Sequence, residues 1–571
     1  MGPGRWAILA ALVGLLGCAA PEPLTRDPGG GPGDVGATDP GPDPTPDAPG
    51  DPGLPRDARA ETDDGNGPDL AGPPDSPAET APDPLGEAHP DPDATVDPLG
   101  DSHPVPDAAV DPLGDAAAPP APLTRTDIQD AVQACDPTDL EALMARYDGP
   151  VCDRSGCTLI TRGEPGSLSL RGEFNGWAET AMTAVPCRPG WFFAEVGPVP
   201  EGSDAWQYRL YRDGQWMDDR DNRWIRFADL AVNQAMYRPG VPRLARLAAV
   251  HSPQLGNDRD VYVFVPAEAF EDPQRRFPLM LLQDGWNVFD NPRAPYGSWN
   301  VDRTARTLAA QGAIEPVILA GITTADRVNE YLYTDFWMTG TGQPTQVTPR
   351  LPAYADFLVQ TLLPRLRAEF PVRTGPADTA IGGSSLGGIS AFWIAWMHAD
   401  VFGKVAALSP SFWVGEEGSG TESYPSMREV MDREPPDAAR RALKIYLDSG
   451  DGGYSPGGGE DPPYAWDGRA YTDWTRNRLI RLGWPNRPEW DTDGDPATPP
   501  ADLPLTTDPA TVPALEWAPT PPQRYGDWNA FLRPDLSLLC LLGRGHLHNE
   551  SFWEQRFPAV LRFLFPPGQG S

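Results

Sequence analysis

The sequence predicts an α/β domain with a mostly parallel sheet in the C-terminal part, a small β-sandwich before it, and a disordered tether before that. Three observations predict it. From about residue 246 onward, short continuous apolar runs alternate with helical stretches, the pattern of buried parallel strands covered by helices on both faces. Between about 124 and 245 the chain reads as short alternating strands separated by turn residues, which is sandwich patterning. Between Pro21 and Pro120 there is no Phe, Trp or Tyr, and 23 Asp/Glu stand against only Arg26, Arg56 and Arg59. Such a stretch buries too little apolar surface to offset the entropy of ordering it.

The first 18 residues read as an export signal. Arg5 is the charged flank, Trp6 to Leu16 is an apolar run too short to span a bilayer, and Leu15-Leu16-Gly17-Cys18 closes it. This end resembles a bacterial lipobox, which implies Cys18 as the lipidated first residue of the mature protein. Ala19 follows; the absence of Asp there resembles outer-membrane sorting in a cell with two membranes. The expected location is the cell envelope, with the membrane reached through a lipid anchor.

Residues 19–123 form the tether. Asp-Pro-Leu-Gly recurs at Asp83, Asp97 and Asp111, a spacing of 14 residues. One Leu per unit supplies no apolar face for a solenoid, so Pro content and like charges make this an extended spacer. The tether accounts for much of the net charge of −36 over 571 residues. The acidity therefore says little about a substrate, but it argues against a nucleic-acid partner, which needs a basic face.

In 124–245, Ile128 to Tyr147 has helical apolar spacing with a break at Pro137. Strands are expected at Leu168–Gly172, Trp191–Val196 and Trp206–Tyr211. Cys135, Cys152, Cys157 and Cys187 allow three disulfide pairings, and export makes disulfides plausible. The segment Gly172-Glu173-Phe174-Asn175-Gly176-Trp177, with Tyr208 to Gly214 and Asp218 to Asn222, resembles the early-set immunoglobulin-like domain found beside glycan-active enzymes and some esterases. The resemblance implies α-glucan binding through exposed aromatics, for which Trp177, Trp206, Trp216 and Trp224 are the candidates, with core or interdomain packing the alternative for most of them.

In 246–571, strands are expected at Val261–Val265, Leu279–Leu282, Val317–Ala320, Ala380–Gly382, Val405–Leu408, Leu443–Leu447 and Leu538–Leu541. Helices are expected at Tyr354–Phe370, Ile389–His398 and Arg469–Leu482. Cys540 lies in an apolar run and reads as a packing residue. Trp484 to Trp528 is a Pro- and Trp-rich insertion. Its Asp491-Thr492-Asp493-Gly494-Asp495 turn has Pro496 where a calcium loop needs Gly, so it reads as a solvated turn.

The chemistry centres on Gly383-Ser384-Ser385-Leu386-Gly387. A buried strand precedes it and an apolar helix follows, the context of a nucleophile elbow. Only Ser385 has Gly at both −2 and +2; Ser384 meets Leu386 at +2. The helix dipole and the Leu386 N–H would face a developing oxyanion. Gln283-Asp284-Gly285-Trp286 after an apolar strand offers the second donor, Gly285 or Trp286, with Gly285 expected to let backbone approach substrate. Of the six histidines, only His546 and His548 lie late enough for the chain order nucleophile, acid, base. The acid should follow the strand ending at Leu447, where Asp448, Asp451 and Asp467 stand.

These pieces make the domain an α/β-hydrolase. Gln283-Asp284-Gly285, Gly382 to Gly388, Tyr446 to Gly450 and His548-Asn549-Glu550-Ser551-Phe552-Trp553 resemble the esterase family that includes enterochelin esterases, feruloyl esterases and mycolyltransferases. The resemblance implies His548 as the base, because the family's His is followed five residues on by Trp, and it favours Asp467 as the acid, with Asp451 as the alternate. It implies hydrolysis of a small-molecule or glycan-linked carboxylic ester, with no metal or organic cofactor. The rival expectations are a glycan-binding surface lipoprotein with an inactive hydrolase domain, and a sugar acyltransferase.

Overall fold

The computed structural model describes residues 122–228, 232–338, 345–415, 425–450, 469–484, 537–543 and 546–568. Cys18, the tether up to 121, Asp451, Asp467, the turn at 491–495 and the insertion beyond Trp484 lie outside the described residues.

The N-terminal module opens with two helices, Arg125–Ala134 and Pro137–Met144. The break falls where Pro137 predicts it, because Pro fits the first turn of a new helix and Asp136 caps that turn through its side chain. Two antiparallel sheets follow. One pairs Cys157–Arg162 with Trp191–Val196; the other pairs Ala205–Arg212 with Ser169–Gly172 and Val232–Tyr237. Strand alternation sends Leu159, Leu170, Phe192, Leu210 and Met236 into the space between the sheets. Ile160 and Trp191 instead meet Ile128, Leu140 and Leu143 of the helices. The disulfides are Cys135–Cys187 and Cys152–Cys157, and Cys540 is a buried free thiol.

The C-terminal sheet is built from β1 (Arg243–Ser252), β2 (Asn257–Val265), β3 (Leu279–Leu282), β4 (Ile318–Ile322), β5 (Thr379–Ser384), β6 (Lys404–Leu408), β7 (Lys444–Gly450) and β8 (Leu538–Gly543). Their order is β1-β2-β4-β3-β5-β6-β7-β8. β2 is antiparallel to both neighbours, and β3 to β8 are parallel. This is an α/β-hydrolase sheet. The period of two along β3 sends Leu279 and Leu281 into one apolar layer, with Ile381 and helix α1 (Leu386–Met397). It sends Met280 and Leu282 into the other, with Leu308 and helix α2 (Glu550–Leu564).

Two features of this topology position the site. The chain leaves β3 for β4 on one side and then for β5 on the other, so β3 and β5 flank the point where strand order reverses. In open α/β sheets ligands bind outside the strand C-termini at that point. The second feature is the junction with the sandwich. β1 crosses the expected boundary between 245 and 246, and it pairs Leu244 with Ile225 and Ala245 with Trp224 of the module's strand Trp224–Phe227. The two sheets are therefore one continuous ladder, reinforced by the Arg223–Glu369 ion pair at 2.9 Å.

Candidate active site

Ser385 sits between the end of β5 and the first residue of α1, at φ 56° and ψ −124°. For a residue with a Cβ this is a strained conformation, worth about 1–3 kcal/mol, that persists only where the surroundings over-determine it. They do so here. A Cβ on Gly383 would lie 2.5 Å from the Gly387 carbonyl oxygen, and one on Gly387 would lie 3.0 Å from Gln283 Cβ. The glycines at −2 and +2 thus let the strand, the helix and the β3 loop close on one another. Ser385 N–H donates to Leu408 O, and Ser411 N–H donates to Ser385 O, each at 3.0 Å. Ser384, by contrast, is a ladder residue of β5 opposite Leu408. Leu386 opens α1, where first-turn N–H groups have no intrahelical acceptor.

The loop after β3 lies alongside. Gln283 N–H donates to Gly382 O at 2.9 Å, and the Tyr354 hydroxyl donates to Gln283 Oε1 at 2.7 Å. Asp284 adopts φ 56°, and its N–H donates to the Tyr331 hydroxyl at 2.9 Å. Arg327 grips the Asp284 carboxylate with two contacts, at 2.7 and 2.9 Å. One expectation is corrected here. The Gly285 N–H donates to Ile322 O at 2.8 Å, so it is already used and is no oxyanion donor. Gly285 is glycine for a different reason: a Cβ would lie 2.4–2.5 Å from the Gly321 and Ile322 backbone of β4. Trp286 is the other member of the expected pair.

His548 stands just before α2 and is buried. The Asn549 side chain caps α2 by accepting from Phe552 N–H at 3.3 Å. That turn brings Trp553 back onto His548, edge to face at 5.1 Å between ring centres. The spacing from His to Trp is thus a direct ring contact. Trp553 Nε1–H donates to Ser409 Oγ at 3.2 Å, just past β6. His546 is held elsewhere: it lies 4.6 Å from the Phe552 ring, and its Nδ1 is 3.4 Å from Arg556 Nη1.

Asp448 is fully buried, and its carboxylate is committed. Arg556 Nε is 3.0 Å from Oδ2, the Tyr446 hydroxyl donates to Oδ2 at 2.8 Å, and Ser409 N–H donates to Oδ1 at 3.0 Å. These contacts tie β7 to α2 and to the residue after β6. Nothing in the sequence near Arg556 signals this pair.

The setting of Glu550 was also not legible, although the residue lies inside the His548 motif. Its carboxylate is almost fully buried and accepts from Asn287 Nδ2 at 3.1 Å. Burial first, with the Asp284 carboxylate adding to it, raises its pKa from 4.5 to about 7. A folded pKa above the unfolded one means the native state holds the extra proton between those values. Stability should then fall as pH rises from about 4.5 through about 7, by roughly 3 kcal/mol in total. Glu550→Gln should abolish this slope, so its urea midpoint should exceed wild type at pH 8 and match it at pH 4.5. Parallel midpoints at both pH values would show that the charge carries no such cost.

Of the four tryptophans considered for a glycan platform, two are brought together. Trp177 lies 6.0 Å and Tyr211 5.3 Å from the half-exposed Trp216, and the Arg171 guanidinium stacks 3.8 Å over Tyr211. Trp224 is instead buried against Phe270, and Trp206 Nε1–H donates to Pro198 O. Among the described residues no His/Cys/Asp/Glu cluster is arranged to hold a metal ion.

Residues 252–462 match the family described as "Putative esterase". The match spans β2 to the segment after β7, with Ser385 and the Gln283–Trp286 loop inside it and His548 beyond it. A stretch of 160 residues is 29% identical to the iron(III) salmochelin esterase of Escherichia coli, covering 28% of this chain and 33% of that protein. A stretch of 155 residues is 24% identical to an uncharacterized protein of Corynebacterium glutamicum, covering 26% and 32%. The chain thus spans about a third of the length of these curated relatives. Similar solved structures include a ferulic acid esterase (17% identity, TM-score 0.34, 57% of this chain and 98% of that one). Another is the ferric enterobactin esterase of Salmonella typhimurium (16%, TM-score 0.33, 74% and 98%).

Proposed function

We propose that the esterase domain is a serine hydrolase of carboxylic esters that works through an acyl-enzyme. The observation that carries this reading is the strained Ser385 turn at the strand-order reversal, with the Leu386 N–H beside it. In the proposed cycle His548 accepts the Ser385 hydroxyl proton as Oγ attacks the ester carbonyl. The Leu386 and Trp286 N–H groups receive the oxyanion. The tetrahedral adduct collapses by breaking the bond to the alkoxy oxygen, which leaves with the proton from His548. Water, deprotonated by the same His, then releases the acid and restores Ser385. The acid that holds His548 is Asp467, or its alternate Asp451, on the segment after β7.

The salmochelin esterase among the similar proteins supports a siderophore ester such as a catecholate trilactone as first substrate to try, with feruloyl and acetyl esters beside it. A fluorophosphonate probe should label the full chain, and peptide mapping should place the label on Ser385. A chain that neither labels nor turns over any of these esters would overturn the reading in favour of an inactive hydrolase domain. Glycosyl ester appearing when a sugar is added would convert it to an acyltransferase.

Cys18 is the proposed lipid anchor to the envelope, and palmitate labelling should be lost in Cys18→Ser. The Trp177–Trp216–Tyr211 cluster is the proposed glycan contact. Retardation in an amylopectin gel should be lost in Trp216→Ala while ester turnover is kept.

A further inference from the structure

The sandwich strand Trp224–Phe227 ends inside the hydrolase domain. Ile225 and Phe227 leave the sandwich's own core and pack in the layer of Met280, Leu282, Val288 and Phe289. Phe227 meets Tyr262 edge to face at 5.0 Å and Trp286 edge to face at 6.0 Å, and the Tyr262 and Trp286 rings are 6.3 Å apart. Val232, paired with Phe227 across the hairpin, packs against the same layer.

Trp286 is the residue whose N–H is the proposed second oxyanion donor. The direction of that N–H is set by what fixes the peptide on each side and by the side chain. Behind it, Gly285 N–H is tied to Ile322 O. In front, Asn291 Nδ2 donates to Trp286 O at 2.8 Å. The indole itself is held by the Phe227 and Tyr262 rings and by the Arg293 guanidinium, 5.3 Å from its centre. Phe227 is the member of this set that comes from the sandwich.

We infer that Phe227 is a positioning residue for the oxyanion loop, so that the N-terminal module is a working part of the hydrolase site and not a separable appendage. The inference rests on the serine-esterase reading. Removing the ring leaves room for the indole, and with it the Trp286 peptide, to shift. A displacement of about 1 Å at a reacting group costs up to about 100-fold in rate. A donor that serves only the transition state should show its loss in kcat and not in KM.

The test uses the full chain and a p-nitrophenyl ester, with Phe227→Ala, Trp286→Ala, the double variant and Ser385→Ala compared for kcat, KM and melting temperature. Phe227→Ala should lose about 10- to 100-fold in kcat with KM within about twofold. Because Phe227 acts through Trp286, the double variant should be no slower than Trp286→Ala alone by more than about twofold, a coupling that independent structural damage does not produce. Wild-type kcat in Phe227→Ala, or losses that multiply in the double variant, would overturn the inference. If Phe227→Ala does not fold, Phe227→Leu takes its place, with a kcat loss of at least about threefold expected and wild-type kcat overturning. Turnover that survives Ser385→Ala would instead mark failure of the esterase reading itself.

Discussion

Ser385→Ala is expected to lower kcat for a p-nitrophenyl ester by about 10⁴- to 10⁶-fold, the scale seen when the nucleophile of a cooperating triad is removed. The fold should survive. Alanine keeps the Cβ, so the backbone strain at φ 56° is unchanged, and the hydroxyl's contact with Ser411 Oγ is a long 3.4 Å. The residual rate should still exceed that in water, because the proposed oxyanion donors, the Leu386 and Trp286 N–H groups, remain. Ser384→Ala is the informative control. Ser384 belongs to the β5 ladder, so its loss should leave turnover within about threefold of wild type, since an interior methyl-sized change there touches no group that reacts. Equal loss in both variants would point to a packing effect and remove Ser385 from the mechanism.

The strands were legible because each buried parallel strand is a short apolar run. Leu279–Leu282 was read with the bounds it has, and the others lie within a few residues of their runs. β2 begins four residues before its expected start and β1 was not expected, while in the parallel strands the larger errors lie at the C-terminal ends. There β7 continues through Asp448, Ser449 and Gly450, and β8 through Gly543, because ladder pairing continues past the last apolar side chain. The frame of the elbow was legible for a local reason: the two glycines that Ser385 needs are two residues away on either side. The role of Gly285 was not. A glycine facing a substrate and a glycine facing β4 look the same in sequence, and only the pairing of β3 with β4 separates them. Trp224 takes the packing alternative, since an aromatic suited to a platform is equally suited to an interdomain core. The change in sequence rhythm near 245 marks where one fold pattern gives way to another. It does not mark a linker, because β1 pairs with both neighbours.

Breaking the Asp448–Arg556 pair should carry a large stability cost. Both side chains are wholly buried. Arg556→Met leaves the Asp448 carboxylate in the interior without its cation, and such a loss costs about 3–5 kcal/mol. Pairing it with Asp448→Leu removes the second charge and should recover most of that, because well-packed apolar replacements of buried ion pairs are often neutral or better. Two donors decide how much is recovered. Ser409 N–H keeps an acceptor, the Asp448 backbone carbonyl at 3.0 Å, whereas the Tyr446 hydroxyl loses its carboxylate at a cost of about 1–3 kcal/mol. Urea midpoints of the two single variants and the double variant measure the cycle, and equal midpoints throughout would show that the pair carries no stability. The double variant also tests which acid serves His548. Asp448 is engaged by Arg556, Tyr446 and Ser409, so the double variant should keep kcat within about tenfold of wild type, the allowance being for the lost anchor of α2 behind His548. A fall of about 10⁴-fold in a variant that still folds, the scale for losing the acid of a triad, would move that role from Asp467 or Asp451 to Asp448.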